Sequence, residues 1–203
     1  MADMRNRSNV LVGAPDVKAS GGAQIGDVAK GAQVPKDATT EVTDLNQAAV
    51  GYVSEDGITK TVDRSTEKIK DHNGDTIIVL TSDHSVMLKL TVMEAANAAL
   101  LKAIFGTDNV TIDADGKKIK VADNADDLPH YSWQFDIKGG PKSKIRVFAP
   151  DGQVTNVGDV KYVRNDVIKY ELEIECYTDD EGNKCYQYID REEASTAPSS
   201  DDS

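Results

Sequence analysis

Residues 170–176, YELEIEC, alternate apolar and acidic side chains without a break, and this stretch constrains the fold more than any other. A period of two is the repeat of a β-strand, whose successive side chains point to opposite faces of a sheet. The two predicted faces are an apolar one (Tyr170, Leu172, Ile174, Cys176) and an acidic one (Glu171, Glu173, Glu175). Such alternation is typical of an antiparallel sheet with one face in the core.

A second stretch, residues 130–137, alternates in the same way and places Trp133, Phe135 and Ile137 on one side. Short strand-like runs separated by turn sequences fill most of the chain after residue 41. We therefore expect a mainly β protein, an antiparallel β-sandwich or barrel with one flanking α-helix.

The helix is predicted over about residues 91–105. Thr91 and Glu94 have the spacing of a capping box, and Gly106 follows the last residue of the apolar face. We interpret it as a core helix packed on the sheet.

Five turns are predicted between strands from their Asp, Asn, Gly and Pro content. They are His72-Asn73-Gly74, Asp83-His84 in a hairpin of residues 75–82 and 85–90, Asp115-Gly116, residues 149–153, and residues 178–183 in a last hairpin. The last hairpin would place Cys176 directly opposite Cys185. Two interpretations of this cross-strand thiol pair stay open: reduced thiols, as in a cytoplasm, or a disulfide formed after release from the cell.

Residues 1–40 are rich in glycine and proline and show no sustained period, which is typical of a loop or an extended arm. Ordering each residue costs about 1–2 kcal/mol in backbone entropy. The few large apolar residues of this segment cannot offset that cost alone, so we expect it to order only on another surface. We divide the chain into this arm, a domain over 41–190 and a disordered acidic tail over 191–203.

Gly21 and Gly26 have the glycine spacing of a phosphate-binding P-loop. That loop requires Lys and then Ser or Thr after the second glycine, but Asp27 and Val28 follow Gly26. A carboxylate at this position repels phosphate, so no nucleotide site is predicted. We interpret the glycines instead as hinges of the arm.

The formal net charge of −12 argues against a grip on nucleic acid or an anionic membrane, each of which requires clustered Lys and Arg. No apolar run approaches the length of a membrane span, and the first residues lack the apolar core of a signal peptide. Neither a catalytic constellation nor metal-ligand spacing is present. No enzyme activity, cofactor or metal is therefore predicted.

The segment Gly51–Ile58, GYVSEDGI, is similar to a known family. Together with residues 13–15, 34–38 and 59–74, the helix ending at Gly106, and residues 146–154, it resembles the major tail protein, or tail tube protein, of long-tailed bacteriophages with non-contractile tails. The resemblance covers about residues 10–190 and rests on the order and spacing of these stretches.

The resemblance implies a structural virion protein made in the host cytoplasm. Six copies would form a ring, and stacked rings would form a tube with an inner β-barrel. The genome would pass through this channel without specific binding, after a tape-measure protein has occupied it. Terminator and baseplate proteins would be further partners, and no catalytic residues are implied.

Two sets of site residues follow as expectations. Glu171, Glu173 and Glu175 are predicted to face the channel, where carboxylates would repel DNA. The arm and the segment Glu55–Gly74 are predicted to contact other subunits. The candidate contact residues are Gly13, Pro15, Gly21, Gly22, Ile25, Gly26, Pro35, Tyr52 and Val53.

An alternative from another functional class stays open. The chain would then be a soluble β-sandwich binding or adhesion module on a virion or cell surface. Its Asp-rich loops, such as residues 123–127, would bind Ca²⁺ or sugar.

Overall fold

In a computed structural model, which describes residues 9–17, 22–140 and 142–191, about half of the described residues form β-strands. The strands are β1 Ala14–Pro15, β2 Ala23–Gly26, β3 Ala48–Ala49, β4 Val53–Lys70, β5 Thr76–Val92, β6 Val110–Ile112, β7 Ile119–Val121, β8 His130–Gly140, β9 Ser143–Val157, β10 Tyr170–Cys176 and β11 Tyr186–Arg191. Among the described elements, the α-helix α1 spans Ala98–Phe105 and a 3-10 helix spans Gly31–Gln33. The prediction of a mainly β chain with one helix is confirmed.

Nine strands form one antiparallel sheet in the order β3-β2-β8-β9-β10-β5-β4, with β1 added to β8 and β11 added to β9. Strands β6 and β7 form a separate hairpin around the predicted Asp115-Gly116 turn. Both β10 and β11 pair with β9, β10 along residues 152–157 and β11 along residues 143–148.

The main core lies on one face of the sheet, which we call the helix-covered face. Trp133, Phe135 and Ile174 are fully buried on it beneath α1. Leu100, Leu101 and Ile104 of the helix belong to the same cluster. Phe105 packs edge-on against Tyr170, with ring centroids 6.2 Å apart.

The opposite face of the sheet is only partly covered. Residues 27–47 cross it above β8 and β9, where Ala29 and Leu45 pack on the buried Phe148. The segment is held by backbone bonds from Asp27 N to Leu45 O (2.7 Å) and from Ala29 N to Pro150 O (2.9 Å). Over β10, β5 and β4 this face carries the partly or fully exposed acidic residues of β10.

The helix begins later than predicted. Thr91 lies in β5 opposite Glu171, and the N-cap is Asn97, whose side chain accepts hydrogen bonds from Ala99 N and Leu100 N. Glu94 accepts a bond from Tyr52 N instead of closing a capping box. The prediction for residues 91–97 is wrong because strand pairing satisfies the backbone of Thr91 first.

The predicted turn at residues 149–153 is also wrong, since β9 runs straight through it. Pro150 has no N–H, but it sits between the partners of β11, which end at Phe148, and those of β10, which begin at Gly152. Opposite it, the β8 register shifts between Tyr131 and Trp133. A proline at such an irregularity interrupts no ladder bond.

The predicted turn at Asp83-His84 is wrong, because it lies within continuous β5, whereas the predicted turn at His72-Asn73-Gly74 is confirmed, since the hairpin reverses at residues 71–75. Asp71 Oδ1 accepts bonds from Asn73 N (3.0 Å) and Asp75 N (2.8 Å), and Gly74 has φ 93°. The pairing of β4 with β5 continues past this point with a register shift, since Ser65 pairs with Asp83 and Thr66 pairs with Thr81. The result is one long β4–β5 hairpin.

Candidate assembly surfaces

The outer half of the β4–β5 hairpin, residues 62–83, projects beyond the rest of the sheet; we call it the ribbon. Strand β10 pairs with β5 only from Met87 onward, so the ribbon has no third strand. At about 3.3 Å per residue its length is about 30 Å. Every residue of the ribbon is exposed except Asp71, which is half-buried in the turn.

The ribbon exposes an apolar cluster on both of its faces. Its six members are 47–63% exposed: Val62, Ile69, Ile77, Ile78, Val79 and Leu80. Ile69 pairs with Ile78, whereas Val79 pairs with Lys68 and therefore lies on the other face. A two-stranded ribbon with bare apolar faces is marginal in water. These residues are thus available to a partner.

Strand β4 also ends the sheet, and among the described strands nothing pairs with its outer edge. An edge of this length presents a long row of unpaired N–H and C=O groups, which can pair with another chain. Charged side chains such as Arg64, Glu67 and Lys68 are spread along it. Charges of this kind prevent indiscriminate pairing and leave room for a selected partner.

The acidic residues of β10 share one face, as the alternation predicts. Glu171, Glu173 and Glu175 lie opposite Thr91, Lys89 and Met87 of β5, on the face turned away from α1. Glu171 is exposed, and the other two are half-buried. Their predicted position in a channel stays a prediction, because it depends on the assembled form.

One of these acids has a partner that the alternation did not reveal. Lys89 Nζ lies 2.5 Å from Glu173 Oε1. This hydrogen bond lowers the pKa of Glu173, so that carboxylate stays ionised. On the acidic face, the charge of Glu173 is therefore neutralised by Lys89, and this ion pair lies between Glu171 and Glu175.

Part of the predicted arm belongs to the sheet of the chain itself. Ile25 is buried in the core, and β2 pairs with both β8 and β3. Gly22 is buried at φ 94°. At Gly26 a Cβ would lie 2.5 Å from Leu45 O, so this glycine permits close packing rather than hinge motion. Gly21 lies outside the described residues.

The other candidate contact residues are more accessible. Gly13 is exposed, and Pro15 is exposed in β1 where it pairs with Ile137 of β8. Pro35 and Val53 are half-buried. Tyr52 is 73% exposed, next to the end of β5. Their contacts with other subunits stay predictions.

Cys176 and Cys185 are both free thiols at the two ends of the connection between β10 and β11. The predicted hairpin between them is wrong, because β10 and β11 run in the same direction along one edge of β9. Burial raises the pKa of Cys176 to about 12 and also raises the pKa of Cys185. Both thiols therefore stay protonated at neutral pH.

A buried polar network under residues 37–47 was missed by the sequence analysis. Arg146 Nε donates to Asp136 Oδ1 at 2.7 Å, and both side chains are 4% exposed. The Arg146 Nη1 group donates to Thr40 O at 2.7 Å, which ties the covering segment to the sheet. The alternation at residues 130–137 places Gln134 and Asp136 on the side opposite Trp133 and Phe135, but it does not reveal that another segment covers that side.

Two further properties concern the described part of the chain alone. Within it, no three His, Cys, Asp or Glu side chains are grouped so that they could hold a metal ion. Likewise, none of its helices has the length and apolar character needed to cross a membrane.

Comparison with known proteins gives one extensive match. Residues 15–199 match the family described as Phage tail tube protein. No curated protein matches the chain.

Solved structures that are similar at low identity include two parts of the anti-feeding prophage. The anti-feeding prophage cap, a tube-terminating cap solved by cryo-EM, is 9% identical, with a TM-score of 0.42 over 94% of this chain and 99% of that chain. The baseplate of the anti-feeding prophage, 6-fold symmetrised, is 13% identical, with a TM-score of 0.27 over 87% of this chain and 97% of that chain. Likenesses this distant carry no argument about the present chain.

Proposed function

Because the chain belongs to the phage tail tube protein family, we propose that it polymerises into the tube of a phage tail, with six copies in each ring and the rings stacked. The family is one of structural virion proteins located in the tail. The observation that carries the polymerisation proposal is the ribbon, since a monomer leaves its apolar cluster and the edge of β4 in water.

The ribbon is proposed to contact neighbouring copies. Burying a Val, Leu or Ile side chain contributes about 1.5–3 kcal/mol when burial is complete. A contact that used the ribbon's apolar cluster would therefore stabilise assembly without any change in the monomer core. Pairing at the β4 edge would add directional backbone bonds and would close the sheet across subunits.

The exposed part of the N-terminal segment is proposed as a second contact. Val10, Val12 and Val17 are exposed, although Val12 N donates to Gly139 O and so keeps this segment beside β8. Residues 22–26 are in the core, so a deletion that tests the arm should stop before them. Removal of residues 1–13 should leave a folded monomer and shorten or abolish tubes.

The acidic face of β10 is proposed to line the channel. Glu171 and Glu175 would repel the phosphates of passing DNA over about 10 Å at 0.1 M salt. A tape-measure protein, terminator proteins and baseplate proteins are the proposed partners, and synthesis is proposed in the cytoplasm of a bacterial host. A density map of the tube that placed Glu171 on the outer wall would overturn the channel assignment.

The polymerisation proposal is tested with Leu80→Asp, which places a charge in the apolar cluster of the ribbon. Val121→Asp is the matched control, because Val121 is an exposed valine on the separate β6–β7 hairpin. Negative-stain microscopy and sedimentation should show tubes for the parent and for Val121→Asp, but monomers for Leu80→Asp.

Normal tubes from Leu80→Asp would contradict the role of the ribbon. If the parent chain stayed monomeric at every concentration, the tube proposal would fail and the binding-module alternative would be favoured.

A further inference from the structure

The tip of the ribbon is a tight turn that contains an Asn-Gly pair. Asp71 N donates to Asp75 O at 2.8 Å, and Asp71 Oδ1 accepts bonds from Asn73 N (3.0 Å) and Asp75 N (2.8 Å). Gly74 N donates to Asp71 O at 3.1 Å, and Gly74 has φ 93°, a conformation that favours glycine. Of the ten asparagines in the chain, only Asn73 is followed by glycine.

The turn between β10 and β11 has the same hydrogen bonds. Asp179 N donates to Asn183 O at 2.9 Å, and Asp179 Oδ1 accepts bonds from Glu181 N (3.0 Å) and Asn183 N (2.8 Å). Gly182 N donates to Asp179 O at 3.1 Å, and Gly182 has φ 87°. Glu181 therefore occupies the position that Asn73 occupies at the tip of the ribbon.

The two turns differ in their support. We call residues 71–75 the ribbon turn and residues 179–183 the anchored turn. Tyr186 Oη donates to Asp179 Oδ2 at 2.6 Å and accepts a bond from Asn183 Nδ2 at 3.0 Å, so β11 holds the anchored turn. Of the described strands, only β4 and β5 support the ribbon turn. A two-stranded ribbon of this kind is marginal in water and opens locally with little free energy.

An Asn-Gly pair can lose ammonia without a catalyst, which is one reason why asparagine is a thermolabile residue. The backbone nitrogen of the glycine loses its proton and attacks Cγ of the asparagine side chain. A bond between this nitrogen and Cγ forms, the bond between Cγ and Nδ2 breaks, and the side-chain nitrogen leaves as ammonia. The product is a succinimide ring. Glycine favours the attack because no side chain crowds its backbone nitrogen.

Water then opens the succinimide at either of its carbonyl groups. Attack at Cγ gives aspartate, whereas attack at the backbone carbonyl carbon gives isoaspartate, in which the chain continues through the side chain. The net reaction converts an amide and a water molecule into a carboxylate and ammonium. Neither an oxidant nor a reductant takes part.

Asn73 meets the requirements of this reaction, and its counterpart in the anchored turn does not. Asn73 and Gly74 are both exposed, so water reaches them. Within the described part of the chain, the side-chain amide of Asn73 has no hydrogen-bond partner that would hold it away from Gly74. Glu181 has a carboxylate instead of an amide, and its longer side chain would have to close a larger ring.

We propose that Asn73 is a site of spontaneous deamidation, at which opening of the ribbon lets Gly74 N attack Asn73 Cγ. The reaction adds a carboxylate beside those of Asp71 and Asp75. Isoaspartate also adds a methylene group to the backbone, which disturbs the bonds that Asp71 Oδ1 accepts. The modification thus loosens the ribbon turn and leaves the core unchanged. It concerns the monomer and does not depend on the proposed tube.

The first test is peptide mass spectrometry of the full-length protein after timed incubation in ¹⁸O-labelled water at mildly alkaline pH. We expect Asn73 to convert at least about tenfold faster than any other asparagine, which corresponds to about 1.4 kcal/mol in activation free energy. The products should be a mixture of isoaspartate and aspartate that contains ¹⁸O. Asn73→Gln is the control and should remove the signal, because glutamine would have to form a larger ring.

Two results would overturn the assignment of this site. One is conversion of Asn73 no faster than that of the other exposed asparagines. The other is aspartate as the sole product, because direct hydrolysis of the amide forms no succinimide and therefore no isoaspartate.

The second test compares the two turns within one molecule. Glu181→Asn places an Asn-Gly pair in the anchored turn, and amide dispersion in NMR spectra verifies that the variant is folded. We expect the introduced asparagine to convert several-fold more slowly than Asn73 in the same sample, because β11 restrains its turn. Adding Tyr186→Phe, which removes the anchoring hydroxyl, should narrow the difference. Equal rates at the two pairs in Glu181→Asn would refute the role given to the opening of the ribbon.

Discussion

Strand β5 passes through two environments, and the contrast between them separates what makes a strand from what buries it. Residues 86–92 alternate between buried and accessible, with Leu88 fully buried. Residues 76–83 are exposed throughout, although their sequence, TIIVLTSD, is also strongly apolar. The inner half has β10 beside it and α1 above it, whereas the ribbon has only β4. Neighbouring elements, not apolar content, decide burial, so the ribbon's apolar residues await a partner.

On the face of the sheet opposite α1, two ion pairs show the same contrast between covered and uncovered residues. Arg146 and Asp136 form an ion pair that is buried where residues 37–47 cover the face. Lys89 and Glu173 form an ion pair on the uncovered part of that face, where their side chains are 45% and 31% exposed. Covered and uncovered parts should therefore respond very differently to the same kind of substitution.

The largest effect is expected from Trp133→Ala on the helix-covered face. The indole is fully buried, stacks on Phe135 and donates to Gly152 O. Its removal should cost about 3–5 kcal/mol in the free energy of unfolding. Ile78→Ala in the ribbon should cost no more than about 0.5 kcal/mol in the monomer. Urea denaturation of both monomers measures the difference, and equal costs would refute the distinction between the core and the ribbon.

Arg146→Met should come next. It leaves Asp136 buried without its cation, which costs about 3–5 kcal/mol, and it removes the bond to Thr40 O. Lys89→Met breaks the exposed pair and should cost about 0–1 kcal/mol. Thermal unfolding of the monomers provides the comparison. A large loss in Lys89→Met would show that its face is covered in the monomer after all.

A smaller effect is expected from Asn97→Ala at the start of the helix that covers the core. The substitution removes the N-cap bonds to Ala99 N and Leu100 N and a bond to Ala49 O, and it should cost about 1 kcal/mol. Asn73→Ala in the ribbon turn keeps the backbone bond to Asp71 and serves as the control. Comparable losses by urea denaturation in the two variants would contradict the assigned capping role.

The smallest effect at neutral pH is expected from the protonation of Cys176. Its folded pKa of about 12 exceeds the value of an unfolded cysteine, about 8.5. The resulting stability is complete below about pH 8.5 and is lost as the pH rises toward about 12. Cys176→Ala should therefore flatten the fall in unfolding free energy between about pH 8 and pH 11. Reduced protein is required, and an unchanged slope would argue against the burial of this thiol.

Local patterns predicted the elements whose residues interact with near neighbours along the chain. The alternation at residues 130–137 and 170–176 predicted β8, β10 and their apolar faces. The Asp115-Gly116 turn predicted the β6–β7 hairpin. Each of these depends on side-chain periodicity or turn chemistry within a few residues.

Longer-range contacts overrode local signals elsewhere. Thr91 has the spacing of a helix cap, but pairing with Glu171 keeps it in a strand. Pro150 and Gly152 are typical turn residues, yet β9 continues through them because two different strands share its edge. Ile25 lies in a glycine-rich segment that cannot order alone, and β8 supplies the surface on which it is buried.

The sequence by itself determined the fold class, the two faces of β10 and the acidic character of the chain, because strand period, turn chemistry and charge are local properties. The tertiary structure alone decided which strands are neighbours, which part of each face is covered and which apolar residues stay exposed. Those outcomes depend on contacts between residues far apart in the chain. A pattern along one strand contains no information about what lies above it.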